Sequence, residues 1–433
     1  MIWIYRLLFI PGFILSIPYL LWHINRRGGY GRDILQRIGK FPTAEAKDPK
    51  KKRVWIQAVS VGEVRALHSL LTSLTENPNL EVILTTATST GYKIAKDLYS
   101  EVVTDVFYFP FDFVLFNRKG WKRIQPDLCI LTEGELWPEH IYQAKKRKVP
   151  IVLINARISD RSFRYYQRFG SLARRLFRNL NRIVASSEWD AKRFRDLGCA
   201  PEDISCSGNL KCDVPLPTLL SESDQNELLN ELGLPTKQTT LAHSLILCGA
   251  STWPGEEITL FRICQKLRKE GIDLRLLITP RHEERRNDIR SDLMNFSFNY
   301  HFRTEGPASQ DVEVSIADTT GELTQFLQLS DIVFVGRSLP PHDGGQTPVE
   351  AGMLRKPILF GPGMSNFRQI SKSLLEFGVA EQVADETALE DAIRKLCLQP
   401  ELRLQQGEKA DQWLQANQGA TERTLKVLKN YLS

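Results

Sequence analysis

The sequence has few of the features that mark disulfide-rich, metal-binding or nucleic-acid-binding proteins. Its seven cysteines are an odd number, and none forms a CxxC motif or a Cys/His cluster with metal-site spacing. We therefore expect reduced cysteines in a cytosolic compartment, with neither a disulfide framework nor a zinc site. The 57 Lys and Arg residues exceed the 51 Asp and Glu residues by only six. That excess is too small to predict nucleic acid as a partner.

Low-complexity tracts and internal repeats are also missing, and 433 residues are enough for two domains of ordinary size. Apolar, β-rich runs alternate with helix-patterned stretches, which predicts an α/β fold of two halves, each with a parallel sheet. We expect a ligand-binding cleft between the halves. The predicted strands are Val54–Val59, Val82–Thr86, Asp127–Leu131, Ile151–Ile154, Ile183–Ser186, Leu245–Cys248, Leu274–Ile278, Asp331–Val335 and Ile358–Phe360.

A Pro-rich segment, Val214–Pro217, predicts the boundary between the halves. The last segment has the pattern of an amphipathic helix, which we expect to fold back onto the first half. The domains expected from these signals are a membrane anchor at 1–26, a first domain at 27–212, a linker at 213–223, a second domain at 224–400 and a C-terminal helical segment at 401–433.

One long apolar run, LLFIPGFILSIPYLLWHI, extends from Leu7 to Ile24 and contains no acidic residue, Lys or Arg. Eighteen such residues are about the lower limit for a bilayer span. Basic residues between Arg26 and Lys40 follow it, so the positive-inside rule places the rest of the chain in the cytoplasm. A cleaved signal peptide is disfavoured because no A-x-A-like site follows. A helix lying in the membrane plane is a closer alternative, given two prolines in the run.

The sequence WIQAVSVGE runs from an apolar strand into a tight turn with one carboxylate, Glu63. Ser60 and Gly62 share this turn, and a helix-like pattern follows. Turns at the carboxyl ends of parallel strands are where open α/β domains bind ligands, so Glu63 is placed to act as a base. The alternative is a glutamate that only favours the helix start through the helix dipole.

Two more strand ends in the first half carry polar side chains. The strand ending in LTEGELWPE presents Glu133 and Glu135, and the strand ending in INARIS presents Asn155 and Arg157. The functional interpretation is acceptor binding or support for the Glu63 turn. The alternative for the two glutamates is a solvated turn covered by Trp137.

Arginines recur after the INARIS motif at helical spacing, which predicts a basic stripe on one helix face. Such a stripe binds anionic lipid headgroups or a phosphorylated substrate, or is simply solvated. Its members are Arg161, Arg164, Arg168, Arg175, Arg178 and Arg182.

Three strand-end motifs of the second half together predict a nucleotide site. A turn of small residues containing Ser251 and Thr252 opens a helix and exposes N–H groups to a phosphate. The next strand ends in Thr-Pro-Arg-His-Glu, which brings Arg281 and His282 to the same edge. A third strand is followed by GGQTPVE. Its glycines Gly344 and Gly345 permit close backbone approach, and Glu350 is placed to accept hydrogen bonds from ribose hydroxyls.

The ordered motifs SVGE, EGELWP, NARIS, GNLK, GAST…GEE, PRHEE, DTTGEL and GGQTPVEAG resemble those of the 3-deoxy-D-manno-octulosonic acid (Kdo) transferases. The resemblance extends over almost the whole chain. It implies the GT-B fold, in which two Rossmann-like domains face a central cleft, with an N-terminal membrane-anchor helix. It also implies an inner-membrane enzyme whose catalytic domains lie on the cytoplasmic face. The implied reaction moves Kdo from CMP-Kdo to a lipid A precursor without a metal or other cofactor.

The resemblance also assigns roles to individual residues. Glu63 matches the catalytic carboxylate, and Ser60 and Gly62 share its turn. The residues that match the donor-binding motifs are Ser251, Thr252, Arg281, His282, Gly344, Gly345 and Glu350. The implied reaction is an inverting transfer to the 6′-hydroxyl, with Glu63 as general base and Arg281 near the departing phosphate.

The sequence departs from the family pattern at four positions, with Gln57, Trp253, Gln346 and Thr347 where the family usually has His, His, His and Asn. These departures lie mainly around the donor and bear on the identity of the sugar. A sugar-nucleotide 2-epimerase or a lipid A disaccharide synthase shares the architecture, but neither explains these motifs in this order with an anchor. An inactive, membrane-tethered nucleotide-binding module is the alternative outside enzymes, and the intact Glu63 argues against it.

Overall fold

The computed structural model describes residues 2–12, 15, 34–41, 45–215, 218–236 and 244–432. The chain divides into two compact units. The first comprises residues 1–215 and 417–433, and the second comprises residues 216–416. Each unit contains a seven-stranded sheet whose paired strands are all parallel, with helices between successive strands, and each is therefore a Rossmann-like α/β domain.

The sheet of the first unit has the strand order β3-β2-β1-β4-β5-β6-β7. Its central strand β1 is buried on both faces, as parallel strands between two helical layers require. Val54 and Ile56 point into the core on one face, and Trp55 points into the core on the other. The strands are β1 Lys52–Ala58, β2 Leu80–Thr86, β3 Asp105–Tyr108, β4 Leu128–Thr132, β5 Ile151–Ala156, β6 Arg182–Ala185 and β7 Ile204–Cys206.

The helices of the first unit cover both faces of this sheet. Residues 2–12 are also helical. The other α-helices are Ile34–Arg37, Val61–Ala66, His68–Thr75, Ser89–Tyr99, Val114–Ile124, Pro138–Arg147, Asp160–Arg168, Gly170–Phe177, Glu188–Asp196 and Ala420–Leu432, with short 3₁₀ helices at Pro201–Asp203 and Leu210–Asp213.

The second unit repeats the same design with the strand order β10-β11-β9-β8-β12-β13-β14. Its strands are β8 Leu245–Thr252, β9 Leu274–Pro280, β10 Tyr300–Phe302, β11 Val314–Ile316, β12 Ile332–Val335, β13 Ile358–Phe360 and β14 Ala380–Gln382. Its α-helices are Glu222–Glu231, Glu256–Lys269, Arg286–Leu293, Leu323–Leu329, Val349–Met353, Arg368–Glu376, Glu386–Leu398 and Pro400–Asn417, with 3₁₀ helices at Glu283–Arg285, Arg303–Glu305 and Ser365–Phe367.

The C-terminal segment forms two helices instead of the single helix expected. They are separated at Gly419, which has a φ of +86°. Residues 401–416 belong to the second unit, where the Trp413 side chain is fully buried. The helix Ala420–Leu432 belongs to the first unit, and its Leu428 lies in the same core as strand β1.

The arginine stripe predicted on one helix face does not form. The helix Asp160–Arg168 ends at Phe169, which also begins the helix Gly170–Phe177. Arg182 is the first residue of strand β6. The helix boundary at Phe169 and the change to strand geometry at Arg182 place these arginines on separate elements. Most of them are exposed.

Only part of the predicted anchor lies within the described residues. The helical residues 2–12 expose apolar side chains, including Trp3, Leu7 and Leu8. The apolar run from residue 16 to Ile24 lies outside the described residues. Among the helices of the described ranges, none is both long and apolar enough to span a bilayer.

Candidate active site

The candidate site of the first unit begins at the turn after β1. Ser60 is the N-cap of the helix Val61–Ala66, and its hydroxyl oxygen accepts a hydrogen bond from the backbone N–H of Glu63 at 3.4 Å. This cap satisfies one of the N–H groups that a helix start leaves free. A methyl group added at Gly62 would meet only the Ser60 hydroxyl oxygen, at 3.9 Å, so that side of the turn is open.

Both carboxylate oxygens of Glu63 are held in place, and only 7% of the residue is exposed. Oε2 accepts hydrogen bonds from the backbone N–H of Val59 and the hydroxyl of Thr132, both at 2.8 Å. Oε1 accepts one from the hydroxyl of Ser60 at 3.0 Å. The Thr132 hydroxyl also lies 2.9 Å from the carbonyl oxygen of Gln57, so the neighbouring strands β1 and β4 together orient the carboxylate.

Two further carboxylates are electrically coupled to Glu63. Burial raises the pKa of Glu63, and the charge of Glu133 raises that pKa further. Burial and the charges of Glu63 and Glu133 raise the pKa of Glu135 to about 7. Poor hydration and like-charge repulsion both disfavour the ionised form of a carboxyl group. Glu63 is therefore a stronger base than an ordinary glutamate.

Glu133 differs from its two neighbours because two cations face it. Arg157 Nη2 lies 2.5 Å from Glu133 Oε2, and Lys211 Nζ lies 3.1 Å from Oε1. Burial alone would raise the pKa of Glu133, but the charges of Lys211 and Arg157 outweigh burial and lower that pKa. Glu133 is therefore an ionised, neutralised group that supports the site.

Asn155 lies at the end of β5 with a φ of +47°. Its side-chain oxygen accepts a hydrogen bond from the backbone N–H of Leu210 at 3.1 Å, which fixes the segment carrying Lys211. Neither Lys211 nor Thr132 was predicted from the sequence as a site residue. Lys211 lies in the GNLK motif, and Thr132 directly precedes the EGE motif. Both motifs pointed to the right part of the sequence, but neither indicated the contacts of Lys211 with Glu133 and of Thr132 with Glu63.

In the second unit, the end of β8 carries the first predicted donor residues. Ser251 has a φ of +55°, and its backbone N–H donates to the hydroxyl of Thr279 at 3.1 Å. Left-handed backbone at a residue other than glycine is uncommon and concentrates at functional sites. The fully buried hydroxyl of Thr252 has no hydrogen-bond partner among the described residues.

The end of β9 is joined to the end of β8 by a backbone hydrogen bond from Arg281 to the carbonyl of Thr252, at 3.1 Å. The next side chain, His282, packs edge-on against Trp253, with 5.5 Å between ring centroids. The guanidinium of Arg337 lies 4.6 Å from the centroid of the Trp253 ring. Trp253 therefore connects the loops after β8, β9 and β12.

The glycine pair after β12 adopts backbone conformations that other residues rarely reach. The φ of Gly344 is +108° and that of Gly345 is +64°. The backbone N–H of Gly345 donates to the carbonyl of Arg337 at 3.1 Å. Glu350 lies in the first turn of the helix Val349–Met353, and its carboxylate accepts a hydrogen bond from the Thr347 hydroxyl at 2.8 Å.

Glu256 is a buried residue that the sequence analysis did not single out. Its carboxylate accepts hydrogen bonds from the backbone N–H groups of Trp253 at 2.9 Å, Arg337 at 2.7 Å, Ser338 at 2.9 Å and Leu339 at 3.2 Å. Burial raises its pKa, while these four N–H donors act in the opposite direction. Glu256 fixes the loop after β12 to the turn after β8.

Each unit gathers its own predicted residues at the carboxyl ends of adjacent strands. In the first unit these are β1, β4 and β5, and in the second they are β8, β9 and β12. Among the described residues, no three His, Cys, Asp or Glu side chains are grouped so as to hold a metal ion.

Comparison with known proteins assigns the chain to a family. A family model described as 3-deoxy-D-manno-octulosonic-acid transferase (kdotransferase) matches residues 32–214. The 3-deoxy-D-manno-octulosonic acid transferase of Haemophilus influenzae is 32% identical over 407 residues, covering 93% of this chain and 92% of that protein. The chain belongs to the Kdo transferase family. The Kdo transferase of Chlamydia pneumoniae is 26% identical over 431 residues, covering 99% and 96% of the two chains.

Solved structures share the fold of this Kdo transferase. A glycosyltransferase from Rickettsia africae matches with a TM-score of 0.63 at 15% identity, covering 88% of this chain and 99% of that one. A UDP-GlcNAc 2-epimerase from Neisseria meningitidis matches with a TM-score of 0.61 at 13% identity, covering 87% and 100%. Identities this low establish a shared fold and nothing about substrates.

The departures of this Kdo transferase from the family pattern have defined surroundings. Gln57 is buried in β1, where its side-chain oxygen accepts a hydrogen bond from the Thr85 hydroxyl at 2.7 Å. The indole N–H of Trp253 is buried without a partner among the described residues. Thr347 is the hydrogen-bond donor to Glu350. Two of the departures are therefore integrated into the hydrogen bonding of their domains.

Proposed function

We propose that this chain transfers Kdo from CMP-Kdo to the 6′-hydroxyl of a lipid A precursor, with inversion at the anomeric carbon. Glu63 is the general base of this reaction. The observation that carries the proposal is the buried Glu63 carboxylate, which Val59, Ser60 and Thr132 hold in place and whose pKa is raised by burial. Removal of a hydroxyl proton requires a base with a raised pKa and a fixed orientation.

In the proposed step, the acceptor hydroxyl oxygen forms a bond to the anomeric carbon and gives its proton to Glu63. The bond from that carbon to the phosphate oxygen breaks, and its electron pair leaves with CMP. Arg281 and the backbone N–H groups of the Ser251 turn stabilise the phosphate. The carboxylate of Glu350 supplies a further donor contact.

We assign the remaining groups of the first unit to the acceptor and to support. Glu135, whose pKa is about 7, lies beside Glu63 and is the candidate for acceptor binding. Asn155 and Glu133 keep the strand ends in place through their contacts with the Lys211 segment, and Arg157 forms an ion pair with Glu133. Because Arg281 and backbone N–H groups meet the leaving group, we propose that transfer uses no metal ion.

We propose that the enzyme works at the cytoplasmic face of the inner membrane. The N-terminal helical residues present an apolar surface that includes Trp3, Leu7 and Leu8, and the apolar run continues to Ile24. The helices after β5 expose Tyr165, Phe169 and Leu172 among arginines. Apolar side chains flanked by basic residues are typical of surfaces that contact anionic lipids.

The direct test is incubation of the purified full chain with CMP-Kdo and lipid A precursor, followed by mass spectrometry of the lipid. We expect addition of Kdo by the wild type and a loss of about 10²-fold or more in Glu63→Gln, because the base is gone. Glu76→Gln, at an exposed position, is the matched control. Near-normal turnover of Glu63→Gln would refute the base assignment, and an inactive wild type that still binds CMP would favour the binding-module alternative.

A further inference from the structure

The helix that follows the EGELW motif is capped at its N-terminus by a buried carboxylate from another loop. Asp112, which is 2% exposed, accepts hydrogen bonds from the backbone N–H groups of Glu139 and His140, both at 2.9 Å. These N–H groups belong to the first turn of the helix Pro138–Arg147 and have no partner within a helix. Asp112 therefore determines where this helix starts.

The N-terminal helical segment, residues 2–12, contacts this capping carboxylate. The hydroxyl of Tyr5 donates a hydrogen bond to Asp112 Oδ2 at 2.8 Å. The next residue, Arg6, forms a two-pronged ion pair with Glu139, with Nε 2.8 Å from Oε2 and Nη2 2.8 Å from Oε1. The Glu139 side chain is fully buried, and the Arg6 side chain is 15% exposed.

Arg6 is the cation that neutralises the buried charge of Glu139 among the described residues. Its planar guanidinium matches both carboxylate oxygens, which a lysine ammonium cannot do in the same way. Gln143 adds a hydrogen bond to Oε1 at 2.5 Å. Removing one partner of a buried ion pair is strongly unfavourable because it leaves the other charge buried and unpaired.

The capped helix is directly continuous with the candidate site. Trp137 is its N-cap residue, and Glu135 lies two residues earlier. Thr132, at the start of the same loop, donates the hydrogen bond to Glu63. A shift of the helix start is thus transmitted through five residues of chain to the contact that orients the base.

We propose that Tyr5 and Arg6 are positioning residues, which dock the N-terminal segment on Asp112 and Glu139 and thereby set the loop from Thr132 to Glu135. This inference rests on the proposed function of that loop. The same segment exposes Trp3, Leu7 and Leu8 on its outer side, so attachment to a lipid surface and order in the catalytic loop share one element. Release of the segment from Glu139 then lowers transfer without touching the donor site.

The test compares Arg6→Met, Glu139→Gln and the double variant in the full chain. We expect Arg6→Met to lower kcat at least tenfold, with CMP affinity unchanged by calorimetry. The double variant should recover most of the loss, because no buried charge is left unpaired. Arg6→Lys should recover part of it. Arg118→Met is the matched control, since Arg118 is exposed and makes no ion pair in the described part of the chain.

Hydrogen–deuterium exchange separates this inference from the proposed reaction. Peptides spanning 132–147 should exchange faster in Arg6→Met and return towards wild type in the double variant, whatever the enzyme's substrate. Unchanged exchange and kcat in Arg6→Met would overturn the inference. A loss equal in the single and double variants would also overturn it. If Arg6→Met does not fold, Tyr5→Phe should show the same changes at smaller size, and wild-type behaviour of that variant would count against the inference. Failure of the wild type to transfer Kdo would instead refute the proposed function.

Discussion

At the residue scale, the carboxyl groups near Glu63 predict a characteristic pH dependence. Transfer requires ionised Glu63, so kcat/KM should fall as pH drops through its raised pKa. We expect kcat/KM to rise further as the pH increases through about 7, because ionisation of Glu135 makes the neighbouring Glu63 a stronger base. Glu135→Gln should remove the rise in kcat/KM near pH 7 and leave the fall in kcat/KM at acidic pH. Rate profiles from pH 4 to 9 measure both.

The same group makes a prediction for stability. The folded-state pKa of Glu135 lies above its ordinary value, so the protonated form stabilises the fold at acidic pH, and this contribution is lost as pH rises through about 7. Thermal unfolding of Glu135→Gln should therefore vary less between pH 5 and pH 8 than that of wild type. Glu76→Gln should follow the wild type in both experiments. An inflection that persists in Glu135→Gln would assign it to another group.

The donor residues make a second prediction at this scale. Arg281→Ala and Glu350→Ala should each weaken CMP binding, because each removes a charged hydrogen-bond partner of the nucleotide. A loss of about 1.5–3 kcal/mol per contact corresponds to about ten- to hundredfold in Kd. Thr347→Val should also weaken CMP binding, but less, because it removes only the hydrogen bond that orients the Glu350 carboxylate.

Calorimetry with CMP measures these affinities, and Glu376→Ala, at an exposed helix end, is the control. Unchanged binding in both Arg281→Ala and Glu350→Ala would move the nucleotide site elsewhere. Gln346→His combined with Thr347→Asn restores the usual family loop. If the donor is CMP-Kdo, this double change should be neutral or raise the affinity for CMP-Kdo.

At the element scale, a carboxylate of the first unit caps the start of the C-terminal helix. Asp213 accepts hydrogen bonds from the backbone N–H groups of Gly419 at 2.8 Å and Thr421 at 2.5 Å, at the start of the helix Ala420–Leu432. Asp213→Ala should lower the free energy of unfolding by about 0.5–2 kcal/mol, as the loss of a helix cap does. Urea titration measures this. Asp203→Ala, at an exposed position, should have little effect, and equal losses in the two variants would contradict the assignment.

The strands show which elements a sequence pattern can predict. All nine predicted strands are present, because long or fully apolar runs reflect burial on both faces of a sheet. The five that were missed, β3, β7, β10, β11 and β14, have only three or four residues. Four of them are edge strands. Short segments at a sheet edge are defined by pairing with a distant neighbour, which local periodicity does not contain.

At the scale of the whole molecule, the N-terminal segment decides how a truncation should behave. Deleting residues 1–24 removes Arg6 and leaves Glu139 buried without its cation. We expect the shortened chain to bind CMP with wild-type affinity, because the predicted donor-binding residues belong to the second unit. It should lose most of its membrane association and transfer activity. Calorimetry measures the CMP affinity, flotation with anionic vesicles measures the membrane association, and mass spectrometry of the lipid measures the transfer activity.

A variant with Leu7→Ser and Leu8→Ser separates attachment from positioning, because it retains Tyr5 and Arg6. It should bind vesicles less tightly than wild type and keep more activity than the truncated chain on detergent-dispersed acceptor. Residual attachment through exposed arginines should weaken as salt rises. Equal activity of the Leu7→Ser/Leu8→Ser variant and the truncated chain would show that the segment serves only membrane attachment.

The sequence by itself determined the class of the fold, the nine main strands and the positions of the candidate residues at strand ends. Those features are local, because hydrophobic period, turn residues and ordered motifs are all read along the chain. The turn around Glu63 was predictable for this reason, since Ser60 caps the helix that carries the base only three residues away.

Only the tertiary structure decided which distant groups meet. Thr132 contacts Glu63 across 69 positions, Lys211 neutralises Glu133, and Arg6 neutralises Glu139 across 133 positions. Only a membrane role was predictable for the N-terminal segment, because apolar residues dominate its sequence pattern. Buried charges are generally paired, because an unpaired buried charge is costly. The parallel strand order that brings these partners together cannot be inferred from the local hydrophobic periodicity of the sequence.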